Sequence, residues 1–174
     1  MKRILIFSSM ALFALGGCSG LMYAQKEIKA VENIQPLAKG IYFIVNERGL
    51  ALTPYQPSPG SNVFARSLNR SGIQKWEVSP RSGGSYTIKL VESNMFFQPH
   101  DVAERTAVLD ITLNGALFNI QADKSSSTSW NIKSRKFRND AMCSYVFSPE
   151  LPTEVRFLPL EASKEFKWKF IAVE

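Results

Sequence analysis

After Pro36 the chain consists of short apolar runs separated by clusters of Gly, Pro, Asn and Ser. Residues 41–45 form a continuous apolar run, whereas residues 85–90 alternate polar and apolar side chains. Runs of this length, rich in aromatic and β-branched residues and bounded by turn-forming residues, are typical of strands. No segment keeps the helical period of about 3.6 residues for long enough to compete. The pattern therefore predicts an all-β domain.

The runs recur in three units of about 44 residues, which open on the aromatic residues Tyr42, Tyr86 and Trp130. Each unit contains four runs. The twelve runs lie at 40–44, 50–52, 63–65, 76–78, 84–88, 95–97, 108–110, 118–120, 128–132, 143–145, 155–157 and 168–170. The aromatic residues that open and close the units, which we expect in the core, are Tyr42, Trp76, Tyr86, Phe118, Trp130 and Trp168.

Three units of four strands predict a β-trefoil, in which six strands close a small barrel and three hairpins cap it. Closure leaves no exposed strand edges for association with other chains. The alternative is a β-sandwich whose strands happen to be evenly spaced.

The first 18 residues have the order of an export signal. Lys2 and Arg3 precede an apolar segment at 4–15, and Gly16 and Gly17 precede Cys18. This order marks a secretory signal, and the apolar segment is shorter than the ~20 residues of a membrane span. The alternative is an ordinary signal cleaved after Ala24, which would leave the protein soluble.

The four residues that end at Cys18 resemble the lipobox of bacterial lipoproteins. The resemblance implies a signal peptide at 1–17, lipidation of Cys18, a tether at 18–37 and the β-trefoil domain at 38–174. It also implies a membrane anchor. Ser19 stands where aspartate favours retention at the inner membrane, so the outer membrane is the expected location.

A second resemblance lies at the end of the first unit. Gln74 and Trp76, preceded by Asn69, resemble the Q-x-W ending of ricin-type B-chain repeats, in which these residues are chiefly structural. Such repeats hold sugar with an acid, an aromatic platform and an asparagine, for which this chain offers Glu47 (beside Asn46), Tyr55 and Asn69. Unit 1 opens on residues 40–44, which resemble the start of fungal β-trefoil protease inhibitors of the mycocypin-like group.

These resemblances imply a binding module of the cell envelope, with a carbohydrate or another envelope polymer as its ligand. The alternative is a protein-binding module or protease inhibitor that acts through the loop at 53–62. Three prolines stiffen this loop, which lowers the entropy lost on binding.

Composition narrows the function further. Removal of Lys2 and Arg3 lowers the net charge from +6 to +4, and this mild excess, together with export, argues against nucleic acid as a partner. With a single histidine, His100, no usual metal cluster is expected, although Asp101 and Glu104 could form a weak ion site beside it. We expect Cys143 to be a buried, unreactive thiol. No cofactor and no catalysis are expected.

The one basic cluster lies at 133–138 and is expected to be a solvated surface. The alternative is contact with an anionic polymer or a lipid headgroup.

Overall fold

The structure is a computed structural model that describes residues 36–101, 103–112 and 114–174. The predicted signal peptide, the lipidation of Cys18 and the tether as far as residue 35 lie outside the described residues. None of the described segments forms a helix with the length and apolar character that a membrane span requires.

Twelve strands make up the described part of the domain, and each overlaps one of the twelve predicted runs. They are β1 Gly40–Asn46, β2 Leu50–Pro54, β3 Val63–Ser67, β4 Trp76–Arg81, β5 Ser85–Leu90, β6 Phe96–Pro99, β7 Ala107–Asp110, β8 Phe118–Ala122, β9 Trp130–Ser134, β10 Asp140–Tyr145, β11 Thr153–Pro159 and β12 Trp168–Ala172. Short 3₁₀ turns lie at Gly72–Gln74, Ser82–Gly84 and Lys164–Phe166.

Six of the strands form a closed barrel. Antiparallel pairing runs from β1 to β4, β5, β8, β9 and β12, and β12 pairs with β1 again. The remaining strands form three hairpins, β2–β3, β6–β7 and β10–β11. This is the predicted β-trefoil, and the β-sandwich alternative is wrong because the two ends of the sheet meet.

The three hairpins touch one another in a ring. Asn62 bridges to Val108 of β7, and Thr106 bridges to Arg156 of β11. The ring is completed by β11 and β3, in which Glu154 stands opposite Phe64. Backbone groups at the hairpin tips are therefore paired between repeats, and β3 and β11 present one continuous outer face.

An aromatic cluster from all three repeats fills the barrel. The ring of Phe97 lies 5.9 Å from Trp76, 5.5 Å from Phe118 and 5.9 Å from Phe157, measured between centroids. Trp168 is also fully buried. Burial of a large apolar side chain contributes about 1.5–3 kcal/mol, so this cluster is a major source of stability.

Phe170, which is partly buried, packs against the core. Its ring lies edge-on to Tyr42 at 5.7 Å and to Trp130 at 6.2 Å. Tyr42 and Tyr86 are buried, whereas Trp130 is half-buried and packs against the core from the outside.

Candidate functional site

Gln74 and Trp76 are buried and organise the first repeat. Gln74 Oε1 accepts hydrogen bonds from the backbone N–H groups of Asn69 and Arg70, and its Nε2 donates to Thr53 Oγ1 and to the Ser67 carbonyl. The Trp76 indole donates to the Leu52 carbonyl at 3.0 Å. These bonds tie the β3–β4 loop to β2.

Asn69, predicted as a sugar ligand, lies in the turn that Gln74 organises. Its side chain is exposed, and its Oδ1 accepts the N–H of Ser71 at 3.0 Å. Asn46 makes similar turn bonds through Oδ1, to the N–H groups of Arg48 and Leu50. Asparagine commonly makes such bonds in turns, and they occupy Oδ1 of both residues.

Glu47, predicted as the acidic sugar ligand, lies in the β1–β2 turn and contacts the third repeat. Its Oε1 accepts a hydrogen bond from Ser129 Oγ at 2.6 Å and lies 3.8 Å from Lys169 Nζ. Within the described part of the chain, no hydrogen bond or ion pair joins Glu47, Tyr55 and Asn69 to one another. The three predicted ligands therefore do not form one hydrogen-bonded cluster in the structure.

Tyr55 lies beside a concave surface at the tip of the β2–β3 hairpin. We call this surface the Tyr55 hollow, and its walls include Tyr55, Ser58, Pro59, Ser61, Asn62 and Phe64. Its volume is about 300 Å³, at the lower end of the usual range for small-molecule sites. The Tyr55 side chain is 61% exposed, so much of its ring is open to a ligand.

The loop beneath the hollow has little freedom. Pro59 precedes Gly60, which has φ +77°, and the N–H of Ser61 bonds to the Ser58 carbonyl, as in a type II turn. Gly60 and Ser61 also exchange backbone hydrogen bonds with Leu109 of β7. The hollow is therefore pre-formed, which lowers the entropic cost of binding.

Several polar groups around the hollow have no protein partner. The side chains of Tyr55, Ser58 and Asn62 form no hydrogen bond with any described residue, while Ser61 Oγ accepts the N–H of Gln56. Hydroxyl and amide groups can both donate and accept, which is what sugar hydroxyls require. The exposed ring offers an apolar face beside them.

Strand β3 adds Phe64 to the walls of the hollow and places Arg66 against two of its wall residues; neither was among the predicted ligands. Phe64 lines the hollow, and the guanidinium of Arg66 lies 5.6 Å from the Tyr55 ring centroid and 5.4 Å from that of Phe64. In the structure Phe64 and Arg66 alternate with buried Val63 and Ala65 and so face outward. The sequence did not indicate this, because residues 63–65 are apolar throughout.

A larger cleft of about 490 Å³ is lined by the third repeat and by Arg48 of the first, and we call it the repeat-3 cleft. Cys143, Leu158 and Phe166 are among its apolar walls, and Arg48 and Glu165 pair across it at 3.1 Å. The Ser144 hydroxyl donates to the Glu165 carbonyl. Arg48, Ser144 and Glu165 are thus bonded within the cleft, unlike the side chains of Tyr55, Ser58 and Asn62 at the Tyr55 hollow.

Titration in the repeat-3 cleft follows from burial and pairing. Burial raises the pKa of Cys143 to about 12, so its thiol is neutral at physiological pH. Burial also tends to raise the pKa of Glu165, but hydrogen bonds from its own backbone and Ser163, together with Arg48, outweigh it and hold this pKa below its ordinary value. Glu165 is therefore ionised and faces Arg48 as a fixed ion pair.

The remaining candidates are isolated surface features. His100 Nδ1 lies 3.3 Å from Glu104 and 3.8 Å from Asp101, and all three side chains are about half exposed. No group of three or more His, Cys, Asp or Glu residues in the described ranges has the geometry of a metal site. In the basic cluster, Lys136 donates to the His100 carbonyl, and Arg135 and Arg138 are exposed.

Comparison with known proteins identifies the fold. No family model matches the chain, and no curated protein sequence matches it. Among solved structures, a mosquitocidal holotoxin matches with TM-score 0.71 and 13% identity over 79% of this chain, which spans 18% of the holotoxin chain.

Two lectins match at a similar level. The Rhizoctonia solani agglutinin has TM-score 0.67 and 18% identity over 79% of this chain and 97% of its own. The Macrolepiota procera ricin B-like lectin, solved with lactose, has TM-score 0.67 and 13% identity over 79% of this chain and 99% of its own. The shared architecture is the β-trefoil, and identities this low support the fold alone.

Proposed function

We propose that this protein is a carbohydrate-binding β-trefoil module, held at the outer membrane of a bacterial envelope by a lipid on Cys18. The observation that carries the binding proposal is the Tyr55 hollow. An exposed aromatic ring, a pre-formed turn and hydroxyl and amide groups that bond no described residue meet there. The lactose complex of the Macrolepiota procera lectin supports it as an analogy of fold.

Binding without catalysis is part of the same proposal. The neutral, buried Cys143 thiol is a poor nucleophile, because the thiolate is the reactive form. His100 lies on an exposed loop, where its Nδ1 is within 4 Å of the half-exposed carboxylates of Glu104 and Asp101. Neither residue has the buried, paired environment that activates a nucleophile or a base.

A glycan array tests the binding site. We expect the full chain to bind a subset of glycans, and Tyr55→Ala to weaken that binding at least about tenfold, a change of 1.4 kcal/mol. Tyr145→Ala is the matched control, because Tyr145 is the corresponding exposed tyrosine of the third hairpin. Equal binding by wild type and Tyr55→Ala, or the absence of binding to every glycan, would contradict the proposal.

Membrane fractionation tests the anchor. Several acyl chains at Cys18 would hold the protein on a membrane, because each buried methylene contributes about 0.8 kcal/mol. We expect Cys18→Ser to move the protein to the soluble fraction while its circular dichroism spectrum stays unchanged. A wild-type chain without an acyl group in its mass spectrum would rule the anchor out.

A second candidate function is protein binding, including protease inhibition, through the loop at 53–62. The rigid turn at Pro59 and Gly60 and its bonds to Leu109 favour it, because an ordered loop loses little entropy on docking. Replacement of residues 57–60 by a short glycine-containing turn should abolish inhibition in a protease panel and leave the thermal midpoint nearly unchanged. Inhibition that survives the replacement would exclude this loop.

A further inference from the structure

Arg66 is a cation held in place by two aromatic rings. It lies on the outer face of β3, partly buried, with Tyr55 and Phe64 both within 6 Å of its guanidinium. A guanidinium over a ring face gains about 0.5–1 kcal/mol at exposed sites, and its planar N–H fork remains free to donate. The rings therefore fix the side chain without using its hydrogen-bond donors.

No described carboxylate neutralises Arg66. Other arginines do pair: Arg48 with Glu165, Arg105 with Asp140 and Arg156 with Glu154. Glu154, which stands opposite Phe64 in the β3–β11 pairing, directs its Oε2 to Arg156 Nε at 2.6 Å. Glu154, the acidic residue that the β3–β11 pairing brings close to this face, is thus already bonded to Arg156.

Lack of a carboxylate alone does not distinguish Arg66. Arg70, Arg135 and Arg138 also form no ion pair with a described residue, but they are exposed in turns, and no cation–π contact holds them. Arg66 differs because it is ordered against two rings and lies beside a pre-formed hollow. An ordered, weakly hydrated guanidinium with free donors is the usual partner of a carboxylate, which it binds with two parallel hydrogen bonds.

From this geometry we infer that the Tyr55 hollow selects anionic saccharides, and that Arg66 binds the carboxylate of a hexuronate residue. The inference rests on the proposed glycan binding and specifies its ligand class. The aromatic ring of Tyr55 meets the C–H face of the sugar, Ser58 and Asn62 meet its hydroxyls, and Arg66 meets its carboxylate. The net charge of +4 expected after export attracts such polymers weakly from a distance.

Matched ligands test this selectivity on the unmodified protein. The full-length chain in detergent is titrated with oligomers of galacturonate and of glucuronate, and with the methyl esters of the same oligomers. The esters keep the sugar skeleton and lose the charge. We expect at least one acid to bind about tenfold more tightly than its ester, as a charge-assisted hydrogen bond predicts. Added salt should narrow this difference.

Variants then assign the effect to Arg66. Arg66→Gln should lower the affinity for the acid about tenfold and leave the affinity for the ester unchanged, and Arg66→Lys should restore part of the loss. Arg156→Gln is the control, since Glu154 already occupies that arginine. Circular dichroism of each variant confirms that it is folded.

The outcomes separate this inference from the proposed function. If acids and esters bind equally, or if Arg66→Gln weakens both alike, selection by Arg66 is wrong while Tyr55-dependent glycan binding stands. If hexuronates do not bind but neutral glycans bind in a Tyr55-dependent way, the anionic ligand class is wrong. If no glycan binds in a Tyr55-dependent way, both proposals fail.

Discussion

The first and third hairpins each carry an arginine beside an exposed tyrosine, and the two arginines differ in their charge pairing. On β3, Arg66 lies over Tyr55, and on β11, Arg156 lies over Tyr145 at 5.1 Å. Glu154 bonds Arg156, whereas no described carboxylate bonds Arg66. Tyr55 is also more exposed, at 61% against 37% for Tyr145. An arginine that stacks on a tyrosine can thus have its charge neutralised by a neighbouring carboxylate, as Arg156 does, or keep its donors available to a ligand, as we infer for Arg66.

A second difference lies beneath these surfaces. The residue two positions before the closing tryptophan is Gln74 in repeat 1 and Phe166 in repeat 3, and both are buried. Gln74 bonds its loop to β2, while Phe166 packs with Ala141 and Cys143 and lines the repeat-3 cleft. Repeat 1 therefore holds the loop before its closing tryptophan with hydrogen bonds, whereas repeat 3 holds the corresponding loop by apolar packing.

The largest expected effect comes from giving repeat 1 the residue of repeat 3. Gln74→Phe should destabilise the domain by several kcal/mol, because each buried partner left without a hydrogen bond costs about 1–3 kcal/mol. Urea unfolding followed by tryptophan fluorescence measures the loss. Phe166→Leu, which keeps an apolar side chain, is the matched change in repeat 3 and should cost less. Similar losses for both variants would contradict the difference drawn between the two repeats.

A smaller effect is expected where repeats 1 and 3 agree. The Trp76 and Trp168 indoles donate to the Leu52 and Met142 carbonyls, whereas repeat 2 has Phe118 at this position. We expect Trp76→Phe and Trp168→Phe to lower the free energy of unfolding by similar amounts, about 1–3 kcal/mol plus a packing loss. Thermal unfolding of both variants checks this, and a loss confined to one of them would show that the two bonds are not equivalent.

The difference between the two hairpins can be reduced by a single substitution. Glu154→Gln removes the carboxylate from Arg156 and should raise affinity for hexuronate oligomers a few-fold, since a partly exposed ion pair is worth about 0.2–1 kcal/mol. Isothermal titration of the acid measures the change, and the methyl ester serves as the uncharged control. Unchanged or weaker acid binding would show that Glu154 does not separate the two faces.

The smallest effect is expected at the thiol in the repeat-3 cleft. With a pKa of about 12 in the folded protein, Cys143 stays protonated across the physiological range, and its side chain is 2% exposed. Folded protein treated with iodoacetamide should carry no label on the Cys143 peptide, and unfolding in urea should expose it. Rapid labelling of folded protein by mass spectrometry would show that the cleft opens.

The sequence allowed the fold to be predicted because each repeat carries its own pattern. Alternation of polar and apolar residues in β5, the 44-residue spacing of Tyr42, Tyr86 and Trp130, and turn residues between the runs can all be read along the chain. A period of two residues determines which side chains face inward, and three repeats of four strands leave few topologies to choose from. All twelve strands were predicted for this reason.

Prediction of the candidate site was less complete. Tyr55 and the stiff loop around it could be recognised from the sequence, and the structure places both beside the hollow. Glu47 was predicted as a ligand, but its carboxylate contacts Ser129 and Lys169, which belong to another repeat. Phe64 and Arg66 were not predicted, because nothing in the sequence indicated that the rings of Tyr55 and Phe64 would lie against one guanidinium.

What the sequence determined by itself is therefore the periodic part of this protein: the number and order of its strands and most of its core aromatic residues. Tertiary structure decided the charge pairing on its surface. Glu154 and Arg66 lie about 90 residues apart in the sequence, and the pairing of β3 with β11 places them on the same outer face. Pairing between charges depends on which side chains meet in space, and the periodicity that specifies a strand carries no information about that.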